Sequence, residues 1–372
     1  GVQVLTYSWV NSGNIDGANN VGGIAGYATR GVSLTSGALR NTGSVTGAGN
    51  NVGGIVGITD TNVSYCYIQL TGAGTMENTG MISGAGNNVG GIAGSIGSYL
   101  ALSGAGTIRN AGAVEGASQV GGIAGRTHSG TSNAHVTLTG AGIMENTGRV
   151  TGTGASVGGI VGETGTAVSL SGAGTIQNTG AVEGASQTGG IVGQAGTYVS
   201  VTGAGTMRNS NAVSGESNVG GIVGLGKGNV ERTATGVLKI TGNVLASANN
   251  AGGIAGQLQC ASATTTLTVQ KIGVSGITVE GSTNVGGIVG LISGSAPLTS
   301  GQVTVGSSFS RINPRASAVA GSLVGGVDGN VTPGKVNITG CYSYVSDAGN
   351  VVEMELCGVA GTVVSDSYYL VA

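Results

Sequence analysis

Two glutamates occupy equivalent places in a repeated segment and are the first residues to consider for chemistry. Glu115 and Glu183 each follow an Ala-Val pair in two nearly identical stretches, two repeats apart. In a stack of β-strands they would lie roughly 10 Å apart, a separation that superficially suits the paired carboxyl groups of a glycosidase. Thr151 holds the equivalent place between them, and the five aspartates are dispersed along the chain. We therefore predict a solvated face here and no catalytic residues.

Residues that bind metals or form disulfides are few. No cysteine or carboxylate lies between the two histidines, His128 and His135, so we predict a polar loop there and no zinc site. Cys66 and Cys260 are about six repeats apart, near 30 Å in a stack of strands, which is beyond the reach of a disulfide bond. The other two cysteines, Cys341 and Cys357, lie in the last two repeats, and the sequence leaves their pairing open. We predict neither a metal nor a cofactor.

The composition excludes several classes of protein. Glycine accounts for 79 of the 372 residues and charged residues for only 8%, whereas an ordinary domain is about a quarter charged. The net charge is -2 without any run of like charge, so we expect no nucleic-acid partner. No apolar stretch is long enough for a membrane span. The chain opens at Gly1 without a methionine, which suggests a processed product or a fragment.

A hexapeptide repeat organises the whole chain. The motif Val-Gly-Gly-Ile-(Ala/Val)-Gly or a variant of it occurs eleven times, at spacings of 31 to 37 residues. The copies begin at Val21, Val52, Val89, Val120, Val157, Thr188, Val219, Ala251, Val285, Ala320 and Leu356. Two further blocks precede the hexapeptide in the regular repeats, Leu-(Ser/Thr)-Gly-Ala-Gly and then Asn-(Thr/Ala)-Gly-x-(Val/Ile)-x-Gly. Each repeat thus holds three short apolar runs separated by glycine turns, a pattern typical of β-strands.

Repeats of this length cannot bury their apolar faces alone, so they are expected to stack. We predict an all-β fold, a parallel β-solenoid (β-helix) of about eleven rungs with three short strands per rung. At about 4.8 Å per rung the rod would be roughly 50 Å long. Residues 1–226 carry the regular repeats, and residues 227–372 continue the solenoid in a degenerate form that ends in a cap or contact region. The paired glycines are expected where neighbouring strands approach closely.

The residue before the repeated asparagine alternates in charge. Along successive repeats it is Arg40, Glu77, Arg109, Glu145, Gln177 and Arg208. Opposite charges on neighbouring strands attract, whereas a stack of identical residues would place like charges together. The alternation therefore predicts a charge ladder between rungs that pair in register. Asn211 replaces the glycine that follows the asparagine in other repeats, which predicts a turn with positive φ at this place.

Aromatic residues are concentrated near the two ends of the repeat array. Tyr7 and Trp9 lie near one end, and Tyr342, Tyr344, Tyr368 and Tyr369 lie near the other. An uncovered terminal rung is an edge that can pair with another chain, so we expect these residues to be caps or subunit contacts. Head-to-tail association that does not close into a ring builds a filament.

The repeat also resembles a known bacterial motif. The segment Asn-Thr-Gly-Ser-Val-Thr-Gly-Ala-Gly-Asn-Asn-Val-Gly-Gly-Ile-Val-Gly at Asn41–Gly57 resembles the GLUG motif of large bacterial surface proteins, with isoleucine mostly in place of leucine. The resemblance extends from about Asn11 to Gly361. It implies a stalk or adhesive region of a secreted bacterial protein, located outside the cell or on its surface. A protease is not implied, because the chain contains no His-Glu-x-x-His.

We therefore expect a structural rod without enzymatic activity that forms or extends a surface fibre, filament or stalk. Its partner would be a second copy stacked head to tail, or neighbouring domains of a larger surface protein. A first alternative is an adhesin that binds host glycan or protein through the loops of the longer repeats, residues 58–70 and 126–138, with Tyr65, Tyr67 and Tyr99 as modest support. A second alternative is a carbohydrate-active β-helix enzyme, which would require carboxylates that converge.

Overall fold

The chain winds into a parallel β-solenoid of about ten turns. This computed structural model describes residues 3–5, 8–61, 66–128, 134–233, 235–316, 319–345, 353–357, 363–365 and 368–371. The predicted all-β solenoid is confirmed, and the number of turns is close to the eleven rungs expected from the hexapeptides. In the described part of the chain, the one helical segment is a short 3-10 turn at Pro333–Lys335.

The strands form three sheets in which all pairs in the described regions are parallel. The twelve-stranded sheet consists of Gln3–Leu5, Val32–Leu34, Ile68–Leu70, Leu100–Leu102, Val136–Leu138, Ala167–Leu170, Tyr198–Val201, Val230–Arg232, Thr266–Gln270, Gln302–Gly306, Val336–Thr339 and Val363–Ser365. The eight-stranded sheet consists of Trp9–Asn11, Ala38–Asn41, Thr75–Asn78, Thr107–Asn110, Ile143–Asn146, Thr175–Asn178, Thr206–Asn209 and Val237–Ile240.

The thirty-stranded sheet contains the hexapeptides and the runs that precede them. Its strands are Ile15–Gly17, Val21–Gly22, Ala25–Ala28, Val45–Gly47, Val52–Gly53, Val56–Thr59, Ile82–Gly84, Val89–Gly90, Ala93–Ile96, Val114–Gly116, Val120–Gly121, Ala124–Thr127, Val150–Gly152, Ala155–Gly158, Val161–Thr164, Val182–Glu183, Ser186–Gly189, Val192–Ala195, Val213–Gly220, Val223–Gly226, Val244–Gly252, Ala255–Cys260, Gly273–Gly281, Thr283–Gly286, Val289–Gly294, Phe309–Ala316, Val319–Val327, Tyr342–Val345, Glu353–Cys357 and Tyr368–Val371.

Each regular coil therefore has five strand segments where the sequence predicts three runs. The chain passes through one strand of the twelve-stranded sheet, one of the eight-stranded sheet and three short strands of the thirty-stranded sheet. The extra segments arise because the chain bends at the second glycine of the hexapeptide, as at Gly54, and again before the hexapeptide. From Val213–Gly220 onward, some of the short segments merge into strands of eight or nine residues.

Equivalent residues of successive coils stack into columns that form the core. Val52 pairs with Val89 and Val89 with Val120, and all three side chains are fully buried. The isoleucines of the same hexapeptides form a second buried column, Ile55, Ile92 and Ile123. Because each coil adds the same residues at the same places, a core with few aromatic residues is still closely packed.

The paired glycines of the hexapeptide leave no room for side chains. A Cβ atom on Gly53 would lie 2.1 Å from the carbonyl oxygen of Val56. A Cβ atom on Gly54 would lie 2.2 Å from the carbonyl oxygen of Gly91 and 2.6 Å from Cγ of Asn78. The second glycine of each regular hexapeptide therefore lets the backbone pack directly on a buried asparagine of the next coil.

These asparagines form a continuous column of amides along the eight-stranded sheet. Its members are Asn11, Asn41, Asn78, Asn110, Asn146, Asn178 and Asn209. Each Nδ2 donates to the Oδ1 of the next member at 2.7–2.8 Å, except in the last. Each Nδ2 also donates to the carbonyl oxygen two residues further along its own chain at 2.7–2.8 Å. The buried amides thus satisfy one another, which offsets the cost of removing them from water.

Later coils replace this amide column with other side chains. Ile240 packs against Gly221 and Val274 against Gly253, each 3.0 Å from where a Cβ atom would stand. In the following coil Ser310 takes the same place beside Gly287. The column therefore continues in space but changes from hydrogen-bonded amides to apolar contacts and then to a serine.

The predicted positive φ at Asn211 is wrong. In the described chain positive φ occurs instead directly before the hexapeptides, for example at Asn20 (56°), Asn51 (63°) and Asn88 (60°). In other coils a glycine takes the place of Asn211 for lack of space, since a Cβ atom on Gly80 would lie 1.9 Å from the carbonyl oxygen of Gly43 in the previous coil. Crowding between coils, and not backbone handedness, selects glycine at this position.

The amide column leads to a first prediction. Asn110→Ala removes the acceptor of one Asn78 N–H and the donor to Asn146 Oδ1, so we expect the free energy of unfolding to fall by about 2–4 kcal/mol. Asn209→Ala, at the end of the column, breaks a single bond between coils and should cost about half as much. Denaturant unfolding followed by circular dichroism measures both losses. Equal losses of unfolding free energy in the two variants would contradict a cooperative role for the amide column.

A second prediction concerns an unsatisfied hydroxyl in a column of valines. Thr188 lies between Val157 and Val219, is fully buried, and its Oγ1 has no hydrogen-bond partner. Thr188→Val should therefore raise the free energy of unfolding by about 1–2 kcal/mol. Thr164→Val is the matched control, because the buried Thr164 hydroxyl bonds to Thr127 and to the Ala134 carbonyl and its loss should destabilise. If the unfolding temperature shifts in the same direction for both variants, the unsatisfied hydroxyl of Thr188 is not the cause of the change in stability.

Candidate functional site

The outward side chains of the eight-stranded sheet form a surface that we call the ladder face. Arg40 Nε lies 3.0 Å from Glu77 Oε2, and Arg109 Nη1 lies 3.4 Å from Glu77 Oε1. Arg109 Nε also lies 3.5 Å from Glu145 Oε2. The structure thus brings four of the candidate ladder residues together on adjacent strands, with Glu77 and Arg109 in direct register.

The ladder continues through a neutral residue. Gln177 Nε2 donates to Glu145, and Arg208 Nε donates to Gln177 Oε1 at 2.8 Å. The side chain of Glu77 is only 14% exposed and that of Glu145 20%, whereas Arg109 is 40% exposed. The arginines therefore cover the carboxylates, and partial removal from water makes each pair worth more than a fully exposed one.

The aromatic residues near the first coil lie beside an open part of the core. Trp9 stands in the inward column above Leu39 yet is 52% exposed. Tyr27 is also exposed, and a cavity of about 390 Å³ is lined by both rings together with Ile24, Thr29 and Arg30. Tyr7, the other aromatic candidate at this end, lies outside the described residues.

The aromatic candidates at the other end lie on neighbouring strands. Tyr342 pairs with Tyr368 on one side and with Phe309 on the other, and Ser343 pairs with Tyr369. Tyr342 is 60% and Phe309 49% exposed. The Tyr344 ring has the Arg311 guanidinium 5.1 Å from its centroid. Phe309 is not among the aromatic residues predicted from the sequence, because only the register of the strands places it beside Tyr342.

A stack of three rings joins the two longer repeats. Tyr67 lies 4.8 Å from Tyr99, and Tyr99 lies 5.3 Å from His135, with nearly parallel planes. Each ring directly precedes a strand of the twelve-stranded sheet. Burial raises the pKa of Tyr99 and lowers the pKa of His135, so the stack favours neutral rings. Tyr65 and most of the loop tips, residues 62–65 and 129–133, lie outside the described residues.

The glutamate pair considered for catalysis lies as its spacing indicates. Thr151 pairs with Glu115 on one side and with Glu183 on the other, so the two carboxylates are two coils apart. Arg149 Nη2 lies 2.5 Å from Glu183 Oε2 and holds this carboxylate in an ion pair. The described residues contain no group of three or more histidine, cysteine or acidic side chains that could hold a metal ion.

Three of the four cysteines lie in the core. Cys66 and Cys260 are buried free thiols, and burial raises the pKa of Cys260 to about 11. Cys341 is also buried, with Sγ 3.3 Å from the Val305 carbonyl oxygen. Cys357 lies in the strand Glu353–Cys357, and its side chain is outside the described part. Among the described segments, no helix has the length and apolar character needed to cross a membrane.

Searches against protein-family models, curated proteins and solved structures found no match to this chain. The arguments about function therefore depend on the geometry of the chain itself.

The ladder face provides a third prediction. Arg109→Glu would place three carboxylates in a row with Glu77 and Glu145, so we expect the free energy of unfolding to fall by about 1–3 kcal/mol at low salt. High salt should recover much of this loss, because it screens the repulsion. Arg109→Gln is the control, since it removes the pairs without adding like charge and should respond less to salt. An identical loss at low and high salt would show that packing, and not charge, matters here.

Proposed function

We propose that the chain is a non-catalytic structural rod that forms or extends a filament, fibre or stalk by head-to-tail stacking of solenoid ends. The observation that carries this proposal is the open first coil. Trp9 is 52% exposed, whereas its register partner Leu39 is 1% exposed. In the same way Ile24 is half-buried, whereas the equivalent Ile55 is 1% exposed. A further coil stacked here would bury the same surface that every internal coil buries.

The backbone of this coil supports the same proposal. Among the described strands, Trp9–Asn11 pairs only with Ala38–Asn41, and Val21–Gly22 pairs only with Val52–Gly53. Unpaired N–H and C=O groups at a sheet edge are a template for another strand. A coil from a second copy would extend the sheets and cover the cavity beside Trp9 at the same time.

Head-to-tail stacking uses different surfaces on the two copies. Such a heterologous contact produces an open filament unless its rotation closes a ring. The parallel in-register pairing and the buried apolar columns continue from coil to coil, which suits an extended rod. Neighbouring domains of a larger surface protein would satisfy the open coil equally well. The resemblance to the GLUG motif agrees with a location outside the cell or on the surface of a bacterium.

An adhesin is the second candidate, and the ring stack favours it. Tyr67 and His135 belong to the two longer repeat loops, and Tyr99 joins them into one half-buried row. This row fixes the bases of both loops two coils apart on one edge of the solenoid. A host glycan or protein would then contact two loops whose relative position is already set, which lowers the entropic cost of binding.

Electron microscopy of the purified chain over a concentration series tests the structural role. We expect unbranched filaments with an axial repeat near one rod length, roughly 50 Å. Trp9→Asp should shorten or abolish the filaments, because it removes the apolar ring from the joint and would bury a carboxylate there.

Tyr198→Asp is the matched control, since Tyr198 is an aromatic residue 43% exposed on the side of the rod. This variant should still form filaments. Isolated short rods at every concentration of the unaltered chain would overturn the proposal and leave the adhesin as the better candidate.

A further inference from the structure

The ladder face loses its acidic side chains after Glu145. Arg208 pairs in register with Lys239, and both side chains are exposed. Each earlier arginine of the ladder faces a glutamate, whereas Arg208 has a neutral glutamine on one side and a cation on the other. Like charges on directly opposed strands repel. An external anion would relieve this repulsion.

The same face continues beyond the eight-stranded sheet. Ile240, Val274 and Ser310 occupy the inward column in successive coils, beside the hexapeptide glycines. Residues next to this column, such as Gly273 and Phe309, therefore lie on the continuation of the ladder face. We call the stretch from Arg208 to Tyr344 on this side of the solenoid the basic face.

Four successive coils contribute one exposed cation each to the basic face. These residues are Arg208, Lys239, Lys271 and Arg311. Successive coils are about 4.8 Å apart along the axis, so the four cations form a staggered row that spans roughly 15 Å along it. Arg208 and Lys239 stand in register at the ladder position. Lys271 lies two residues before the next ladder position, Gly273, and Arg311 lies two residues after the one that follows, Phe309.

Among the described residues at the ladder position after Glu145, none is aspartate or glutamate. Glu280 lies further along the strand of Gly273, beyond the irregularity between Ser275 and Ile277, in register with Leu245. The row occurs in a chain whose net charge is -2, so it does not reflect a basic composition.

The guanidinium of Arg232 binds the backbone beside Lys271. Arg232 Nε donates to the Lys271 carbonyl oxygen at 2.8 Å, and its Nη1 donates to the Gly236 carbonyl oxygen at 2.9 Å. Arg232 is therefore fixed next to the row by two backbone carbonyls and not by an acidic side chain. The nearby Glu231 lies on the outer side of the twelve-stranded sheet, where it accepts a bond from Gln270.

Exposed aromatic rings lie at the end of this row. Phe309 packs over Gly273, where a Cβ atom would lie 2.2 Å from the ring, and Tyr342 is its partner on the next strand. About half or more of each side chain remains exposed. Arg311, the last cation of the row, lies two residues beyond Phe309 on the same strand, with its guanidinium over the Tyr344 ring. Aromatic faces of this kind pack against the apolar faces of sugar rings.

We propose that the basic face binds an acidic polysaccharide of the uronate type. The carboxylates pair with Arg208, Lys239 and Lys271, and sugar rings pack on Phe309 and Tyr342. A uronate polymer carries one negative charge per sugar unit, which matches one cation per coil. Nucleic acid fits less well, because it carries a charge every 3.4 Å per strand and its binding depends on a strongly positive field that a net charge of -2 does not supply.

Titration calorimetry of the whole chain with polygalacturonate tests this inference, at a protein concentration where electron microscopy shows no filaments. The result is then independent of the proposed assembly. We expect binding at low salt that weakens at high salt. The double variant Lys239→Gln/Lys271→Gln should bind at least about tenfold more weakly, a loss of about 1.4 kcal/mol. Phe309→Ala should weaken binding while leaving its salt dependence unchanged.

Lys335→Gln is the matched control, because Lys335 is a half-buried cation away from the basic face whose Nζ donates to the Thr299 carbonyl oxygen. It should bind as the unaltered chain does, and circular dichroism should show that every variant is folded. Absence of binding at low salt, or an equal loss in Lys335→Gln, would overturn the inference. Equal binding of neutral dextran, or tighter binding of single-stranded DNA, would overturn it as well.

Discussion

The contact between a buried asparagine and a hexapeptide glycine of the neighbouring coil fixes how the coils stack. The amide of Asn78 occupies the space that a side chain on Gly54 would need, and it bonds to Asn41 and Asn110 in the coils on either side. A shift of the coil by one residue would bury these amides without partners, at a cost of several kcal/mol for the column as a whole. Register in this solenoid is therefore set by polar groups in the core, and the apolar columns follow from it.

The charge ladder on the outside depends on this inner column. Arg109 faces Glu77 and Glu145 because Asn110, the next residue, is locked between Asn78 and Asn146. Where the amide column gives way to Ile240 and Val274, the eight-stranded sheet ends as well, and the alternation of charge stops at Arg208 and Lys239. The change in the core and the change on the surface thus occur in the same coils, which divides the face into a neutral ladder and a basic part.

The sequence predicts the stacking well and the path of each coil less well. The columns and the register can be predicted from the repeated Val, Gly and Ile and from the alternating Arg and Glu, because a solenoid places equivalent residues side by side. The five strand segments were not evident, since bends at sites such as Gly54 result from crowding between coils and leave no local turn signal beyond glycine itself. The positive φ expected at Asn211 was wrong for the same reason, because a glycine can be selected by a close approach as readily as by its dihedral angles.

Groups formed across coils were hardest to foresee. Tyr67, Tyr99 and His135 are far apart in the chain and differ in type, yet each directly precedes an equivalent strand, which stacks the rings. Phe309 joins Tyr342 in the same way, through register alone. In a solenoid, groups of surface side chains are therefore formed by equivalent positions in successive coils and not by neighbours in the chain. A rigid rod of this kind can carry a row of charges or rings at the spacing of its own backbone, and a polymer with a similar repeat is the ligand that such a row recognises best.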